Sequence, residues 1–174
     1  PNELTYGSSG IGGFGQMCAE LFAVTANIKM THVPYKGSAP SLMDLMGGHI
    51  QILFNSALPT MQHIKSGKLK AFAVTSPKRL SNLPDVPTLA ESGLTGYDST
   101  GWFGLVAPAG TPASIIQRLN AEFTAALNDE SIKSQMRQNG MEPVPTTTEG
   151  LDAYIKSETQ KWGRVIRQAN IKLN

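Results

Sequence analysis

Short apolar runs alternate with helical patterns through the first half of the chain. The runs typical of β-strands begin at Leu4 and then cover 31–35, 51–55 and 70–75. After the first run, apolar residues recur at helical spacing, as Phe14, Cys18 and Leu21 do. Strands that alternate with helices in this way predict parallel βαβ units, with helices covering both faces of the sheet.

A long aromatic and apolar run at 97–107 separates this half from a helical second half. Gly101 and Gly104 interrupt the run, and glycines inside such a segment predict a bend where the chain crosses between two lobes. Thr111 and Pro112 come next. They predict the start of a helix, with Thr as the N-cap and Pro at the first helical position.

The last two helices are predicted from their capping residues. Asp129 is the expected N-cap of a short helix, and Thr146 with Glu149 has the spacing of a capping box. Apolar stripes at 115–127 and 151–166 indicate that the longer helices of this half are amphipathic. Each of these helices therefore needs a partner surface for its apolar face.

Composition narrows the function classes without choosing one. Of 174 residues, 40% are apolar and 16% are charged, which is ordinary for a globular protein with one good core or two small ones. The formal net charge of +2 comes from scattered basic residues, so neither a nucleic-acid surface nor a membrane-binding patch is indicated. Cys18 is the only cysteine, and the three histidines show no zinc-binding spacing. No metal and no cofactor are expected.

A glycine and serine turn between the first strand and the first helix carries the strongest chemical signal. It contains Ser8, Ser9, Gly10, Gly12 and Gly13. Glycine lets the backbone approach a ligand closely, and the start of a helix presents unpaired N–H groups and the positive end of its dipole. The turn is therefore a candidate site for a carboxylate or a phosphate. An ordinary strand-to-helix connection also favours Gly and Ser, so this stretch alone leaves both interpretations open.

Two further turns are expected at the same edge of the sheet, because ligands of parallel sheets bind beyond the carboxyl ends of the strands. Tyr35, Lys36 and Gly37 follow the second strand, and Asn55 ends the third. Backbone amides, hydroxyls, one Lys and one Asn at one edge predict a small polar anion site rather than a catalytic one. We expect the Lys36 amine at the entrance of this site, the alternative being an ordinary surface lysine.

A dinucleotide-binding enzyme is the alternative from another class. Gly10, Gly12 and Gly15 match G-x-G-x-x-G between a predicted strand and a predicted helix. In that motif the next strand ends in an acidic residue that holds the ribose, whereas here it ends in Lys36. A serine nucleophile is not indicated either, because the Gly-Ser-Ser-Gly stretch at 7–10 is one residue too short for the G-x-S-x-G elbow.

Five separate runs resemble a known family over essentially the whole chain. The runs are HVPYKGSAP at 32–40, GGHI at 47–50, GKLKAFAVT at 67–75, LPDVPTLAE at 83–91 and WFGLVAPAGTP at 102–112. Together they resemble the Bug family of extracytoplasmic solute receptors, the binding proteins of tripartite tricarboxylate transporters. The resemblance implies a two-lobed periplasmic receptor of the type II Venus-flytrap kind. Such a receptor captures a small carboxylate for membrane permease subunits, with no cofactor and no catalysis.

The resemblance also implies a domain organisation. Residues 1–98 correspond to the complete second lobe with its ligand-edge loops, and 99–174 to the crossover and the C-terminal portion of the first lobe. Trp102, in the crossover, joins the candidate ligand contacts. Family members are much longer at the N-terminus, where a Pro- and Gly-rich loop supplies half of the ligand clamp, and no such loop is present in this sequence.

The sequence differs from the family in a second place, and each difference leads to an expectation. Many relatives carry Ser or Thr after the last glycine of the turn, where this chain has Gly13 followed by Phe14, so the backbone amides of 9–13 are expected to carry that side of the site. The C-terminal helices have little sheet to cover, and we expect the exposed apolar surface to drive self-association of this chain.

Overall fold

The computed structural model describes residues 4–171. The ends of the two predicted lobe segments, 1–3 and 172–174, lie outside the described residues. The elements are β1 (Thr5–Ser8), α1 (Phe14–Ala26), β2 (Thr31–Pro34), α2 (Ser38–Met46), β3 (Ile52–Leu53), α3 (Ala57–Lys65), α4 (Ala113–Asn128), α5 (Glu130–Gln138) and α6 (Thr148–Gln168).

The named strands form a parallel sheet with the order β2-β1-β3. Thr5 lies opposite Thr31 at the start of the β1–β2 pair, and Tyr6 lies opposite Ile52 in the β1–β3 pair. Each strand is followed by a helix, which places the carboxyl ends of all three strands at one edge. The predicted α/β class with a parallel sheet flanked by helices is confirmed.

The prediction of a fourth strand at 70–75 is wrong. Within the described residues, this segment contributes only an isolated parallel bridge between Val74 and Thr88. The Val74 N–H donates to the Pro87 carbonyl at 2.9 Å, and the Leu89 N–H donates to the Val74 carbonyl at 3.0 Å. Extending the ladder toward Phe72 requires an N–H on residue 87, and proline has none. The third strand is also shorter than predicted, since β3 covers only Ile52–Leu53.

Two of the predicted helix starts are displaced. The N-cap of α4 is Pro112 rather than Thr111, whose hydroxyl donates to the Pro108 carbonyl at 2.8 Å in the preceding turn. In α6 the capping box of Thr146 and Glu149 does not form.

The start of α6 uses neighbouring residues instead. The hydroxyl of Thr147 accepts from the Gly150 N–H at 3.1 Å, and the Glu149 carboxylate accepts from the Thr148 hydroxyl at 2.9 Å. An N-cap side chain accepts a hydrogen bond from an N–H of the first helical turn, and Thr147 does so here. The cap therefore lies one residue later than the sequence suggested. The cap predicted for α5 is confirmed, because Asp129 accepts from the N–H groups of Ser131 and Ile132.

The chain forms two compact units. The first includes residues up to Gly101 together with those from Lys161 onward, and the second is Trp102–Gln160. All apolar side chains that are buried among the described residues belong to the first unit: Tyr6, Met17, Cys18, Ala19, Ala23, Leu42, Ile50, Met61, Val74, Tyr97 and Val165. The assignment of 1–98 and 99–174 to two lobes stays a prediction.

Two contacts illustrate the core of the first unit. The Cys18 thiol is buried, with its sulfur 2.9 Å from the Ser99 hydroxyl, and burial raises the pKa of this thiol to about 12. The Trp162 ring, near the end of α6, meets the Phe14 ring edge-on at 6.3 Å. The end of α6 therefore packs on α1.

The second unit has little interior. No described side chain of α4 is buried, and Ile115, Leu119 and Phe123 on its apolar stripe are 49%, 43% and 47% exposed. Its clearest aromatic contact joins Trp102 and Tyr154, whose ring centroids lie 5.4 Å apart. Among the described residues, no helix is long and apolar enough to span a membrane.

Candidate functional site

Three turns meet beyond the carboxyl ends of the strands. The first turn follows β1, the second follows β2, and the third follows β3. The Gly37 N–H of the second turn donates to the Ser9 carbonyl of the first at 3.2 Å. The Ser38 hydroxyl donates to the Asn55 side-chain oxygen of the third turn at 3.3 Å. The three turns are therefore linked to one another, and we refer to residues 9–13, 35–37 and 54–56 as the ligand edge.

The ligand edge is electropositive because helices begin there. The first residues of α1, α2 and α3 are Phe14, Ser38 and Ala57, and each directly follows one of the three turns. Every helix start contributes unpaired N–H groups and the positive end of a dipole. Three such starts at one edge favour a negatively charged ligand.

Glycine is required at several positions of this edge. Gly10, Gly12 and Gly37 have φ values of 142°, 73° and 113°, a region that L side chains rarely adopt. Gly15 in α1 is needed for a different reason, since a Cβ there would lie 2.5 Å from the Phe54 carbonyl oxygen. The glycines thus shape the first turn and bring α1 close to the end of β3.

Several amides of the glycine turn are already engaged. The Gly12 N–H donates to the Gln16 side-chain oxygen at 2.7 Å, and the Gly13 N–H donates to the Gly10 carbonyl at 3.2 Å. Contact of these amides with a ligand requires exchange of those bonds. The N–H groups of Phe14 and Gly15, in the first turn of α1, have no partner within the helix. The bond from the Gly12 N–H to the Gln16 side chain is one that the sequence did not reveal.

The buried Ser8 pairs with the half-buried His32 at the base of the first turn. Ser8 is 0% exposed, and its hydroxyl oxygen lies 2.7 Å from His32 Nε2. Burial lowers the pKa of His32, and the carboxylate of Glu20 acts in the opposite direction. The pair places a hydroxyl beside an imidazole, but the hydroxyl is enclosed and bonded to Gly10. Its accessible neighbour Ser9 has an exposed side chain.

Tyr35 and Lys36 differ in what they offer to a ligand. The Tyr35 hydroxyl donates to the Asp44 carboxylate at 2.7 Å, and this bond raises the pKa of Tyr35. The hydroxyl is therefore directed to α2. Lys36 is exposed and forms no ion pair with any residue in the described range, so its charge at this edge is not neutralised by a partner.

Asn55 is held in one orientation. Its side-chain oxygen accepts from the Ser38 hydroxyl and, at 3.0 Å, from the Ser56 N–H. The side-chain nitrogen is buried and has no hydrogen-bond partner among the described residues. The other nine predicted residues lie in or beside the three turns of the first compact unit, whereas Trp102 belongs to the second unit.

The described residues contain no group of three or more His, Cys, Asp or Glu side chains suited to a metal ion. The ligand edge offers N–H and O–H donors together with Lys36, and this set suits recognition of an anion.

Comparison with known proteins agrees over nearly the whole chain. A family model described as tripartite tricarboxylate transporter family receptor matches residues 1–171. A UPF0065 protein from the tcbD-tcbE intergenic region of Pseudomonas sp. strain P51 is 35% identical over 175 residues, covering 100% of this chain and 52% of the relative. Protein BugT of Bordetella pertussis is 32% identical, covering 99% of this chain and 53% of the relative. The chain thus spans about half the length of these curated relatives.

Solved structures give the same result. Rpa4515 of R. palustris, solved with adipate, has a TM-score of 0.87 and 35% identity, covering 98% of this chain and 57% of that one. The periplasmic binding protein BugD has a TM-score of 0.79 and 33% identity, with coverage of 98% and 58%. MatC from Rhodopseudomonas palustris, with bound malate, has a TM-score of 0.79 and 28% identity, with coverage of 95% and 57%. None of these comparisons supports the dinucleotide-binding alternative. This chain belongs to the tripartite tricarboxylate transporter receptor family.

Proposed function

We propose that the chain carries one side of the carboxylate-binding site of a periplasmic solute receptor, which delivers its ligand to the permease subunits of a tripartite transporter. The role is capture and release, with no chemical conversion. Family membership and the resemblance to BugD support the receptor role and the periplasmic location. Bound adipate and malate in two similar structures support a small dicarboxylate as the ligand class.

The single observation that carries this proposal is the meeting of three helix starts at one edge of the sheet. The turns between strands and helices are bonded to each other through Gly37, Ser9, Ser38 and Asn55. A carboxylate there accepts from backbone N–H groups while the Lys36 amine adds a positive charge near the entrance. Hydrogen bonds to an ionised acceptor are stronger than bonds between neutral groups, so a dianion gains more than a neutral analogue.

We propose two kinds of role for the ten candidate residues. Ser9 offers an exposed hydroxyl, Asn55 offers its unpartnered amide, and Lys36 attracts the anion. Ser8, Gly10, Gly12, Gly13, Tyr35 and Gly37 shape the edge, and Trp102 stays a proposed ligand contact.

A binding titration tests the proposal. Calorimetry and thermal unfolding of this chain are followed with adipate, malate and citrate, and with adipamide as the neutral control. A ligand at 100 times its Kd stabilises the folded state by about 2.7 kcal/mol, which is a readily measured shift. We expect stabilisation by at least one carboxylate, none by adipamide, and the carboxylate recovered unchanged. Absence of binding by every carboxylate, or formation of a product, contradicts the proposal.

We also propose that this chain self-associates. The apolar stripe of α4 is exposed, as are Phe103 and Val106 in the preceding segment. Large contiguous apolar patches are uncommon on monomers, so these exposed side chains favour association.

A further inference from the structure

One buried hydroxyl holds both polar backbone groups of Gly10. The Ser8 hydroxyl donates to the Gly10 carbonyl at 3.0 Å, and its oxygen accepts from the Gly10 N–H at 3.2 Å. Gly10 has a φ of 142° and lies outside the helices and strands, so its N–H and carbonyl are not paired by regular secondary structure. Ser8 is completely buried, so water does not compete for these bonds.

Proton accounting connects this arrangement to His32. A hydroxyl carries one proton, and the bond from Ser8 to the Gly10 carbonyl uses it. His32 Nε2 lies 2.7 Å from the same oxygen, so both bonds exist at once only when Nε2 carries a hydrogen and donates it. If Nε2 instead accepted, the Ser8 proton would turn to the imidazole and the Gly10 carbonyl would lose its bond from Ser8.

The imidazole is itself fixed by its neighbours. His32 on β2 lies opposite Tyr6 on β1, and the two rings stack with centroids 4.8 Å apart and an angle of 16°. The Tyr6 hydroxyl donates to the Glu20 carboxylate of α1 at 2.7 Å. The position of the ring is thus set by the sheet and by the helix that begins at the ligand edge.

Gly10 connects the Ser8 hydroxyl to the rest of the ligand edge. Its carbonyl also accepts from the Gly13 N–H, and Gly13 is the residue before α1. Ser9, between Ser8 and Gly10, accepts from the Gly37 N–H of the second turn. Holding Gly10 therefore holds the conformation of the first turn and its link to the second.

We infer that His32 is a positioning residue of the carboxylate site: by donating to Ser8, it fixes Gly10 and pre-organises the glycine turn without touching the ligand. This inference rests on the proposed function. Pre-organisation raises affinity because the turn does not have to be ordered when the ligand binds. In the sequence, the positioning role of His32 is indicated only weakly, by a histidine in a short predicted strand. Its contact with Ser8 depends on the strand register, which the sequence does not give.

Three variants separate positioning from mere packing. His32→Phe keeps an aromatic ring against Tyr6 and removes the nitrogen, Ser8→Ala removes the hydroxyl, and His32→Gln supplies an amide N–H near the position of Nε2. The first readout is amide hydrogen exchange at Gly10 and Gly13, measured by NMR without ligand. The second is the Kd for adipate measured by calorimetry.

We expect exchange at Gly10 to become about tenfold faster in Ser8→Ala, which removes the bond of the Gly10 N–H. We expect the same in His32→Phe, because the Ser8 side chain is then no longer held in the rotamer that bonds Gly10. The double variant should be no faster than either single variant, because both act on one chain of bonds. His32→Gln should restore protection. The Kd for adipate should rise about tenfold in the first two variants and recover in the third.

The two hypotheses fail in different ways. If the wild-type chain binds adipate and His32→Phe binds it equally well with unchanged exchange at Gly10, positioning by His32 is overturned and the receptor role stands. Additive effects of His32→Phe and Ser8→Ala also overturn it. If the wild-type chain binds no carboxylate, the proposed function is overturned for this chain, and the exchange measurement still decides whether His32 holds Gly10 through Ser8.

Discussion

At the scale of single residues, the glycine turn combines a conformational requirement with a binding role. Gly12 has a φ of 73° and is exposed, so a side chain there meets backbone strain rather than crowding by the core. Its amide is bonded to Gln16, which fixes the turn just before α1. A substitution at Gly12 is therefore expected to change the shape of the ligand edge more than the stability of the sheet.

We predict that Gly12→Val weakens carboxylate binding at least about tenfold while the fold survives, because a β-branched residue disfavours positive φ. Calorimetric titration and circular dichroism measure the two effects. The matched control is Gly48→Val, at a φ of 76° and with open space around it, in the connection between α2 and β3. Equal binding by both variants would remove the glycine turn from the site.

Lys36 gives a kinetic prediction. Its exposed charge at the ligand edge should accelerate the arrival of an anion, and salt should screen this effect. We predict that Lys36→Met lowers the association rate constant at about 0.02 M salt and has little effect at about 0.5 M salt. Lys29→Met is the control, since Lys29 is exposed in the connection that precedes β2, at the opposite edge. Stopped-flow measurements that give equal losses for both variants would make Lys36 an ordinary surface lysine.

His32 gives a prediction about pH. Burial lowers the pKa of folded His32 below its ordinary value of 6.5, so below pH 6.5 the unfolded chain takes up the proton first. Neutral His32 therefore contributes to the free energy of unfolding above pH 6.5, and this contribution is lost as the pH falls toward the folded pKa of His32. Glu20 on α1 opposes the shift, and Tyr6 and Ser8 are the neutral groups that contact the ring.

We therefore expect the free energy of unfolding of the wild-type chain to fall between about pH 8 and about pH 5.5, and to fall less in His32→Gln. Urea unfolding at several pH values measures the difference. This range lies above the titration of the carboxylates that have lowered pKa values, such as Asp129 and Glu130. His49→Gln removes a histidine from an exposed position and serves as the control. Parallel curves for wild type and His32→Gln would exclude His32 as the source.

At the scale of the elements, the first unit depends on close contact between α1 and the end of β3. Gly15 is buried in α1, and a Cβ there would lie 2.5 Å from the Phe54 carbonyl oxygen, a backbone atom that moves only if the chain after β3 moves. Gly163 in α6 is the opposite case. Its added Cβ would meet only the end of the Arg167 side chain at 3.5 Å. The two helical glycines thus permit a comparison of packing with helix propensity.

We predict that Gly15→Ala lowers the free energy of unfolding by about 1–3 kcal/mol, the usual cost of inserting a methyl group into a packed contact. Gly163→Ala should raise it by about 0.5–1 kcal/mol, because alanine is the better helix former. Urea denaturation of both variants provides the measurement. A stabilising Gly15→Ala would mean that α1 moves away from Phe54 at little cost.

The elements also show what the sequence predicts and what it leaves open. The turn glycines and the alternation of strands and helices located β1, β2 and the helices that follow them. Local signals do not encode which residues face each other across strands, and for that reason the Ser8–His32 bond was missed. The same limit explains why the prediction of a fourth strand failed. Val74 pairs with a segment that contains Pro87, and the ladder of hydrogen bonds stops there. At the ligand edge, the sequence predicted a glycine and serine turn before a helix. It did not predict the hydrogen bond from the Gly12 N–H to the Gln16 side chain.

At the scale of the whole molecule, the two units differ in how much they bury. The first unit holds all the buried apolar side chains of the described range, including Tyr6 and Val165. The second unit exposes an apolar helix stripe, together with Phe103 at 95% and Val106 at 84% exposure. The expectation that the C-terminal helices have little sheet to cover stays a prediction. Apolar surface in water is a source of association, because burying it releases roughly 25 cal/mol per Å².

The last prediction follows from this exposed surface. We expect this chain to form dimers or larger species at micromolar concentration, measured by light scattering, and to bind a hydrophobic dye when diluted. Leu119→Lys with Phe123→Lys places charge on the α4 stripe and should shift the chain toward monomer. Phe72→Lys is the control, because Phe72 is 71% exposed but belongs to the first unit. A stable monomer that binds no dye would contradict the prediction and would show that the second unit buries its apolar stripe within the same chain.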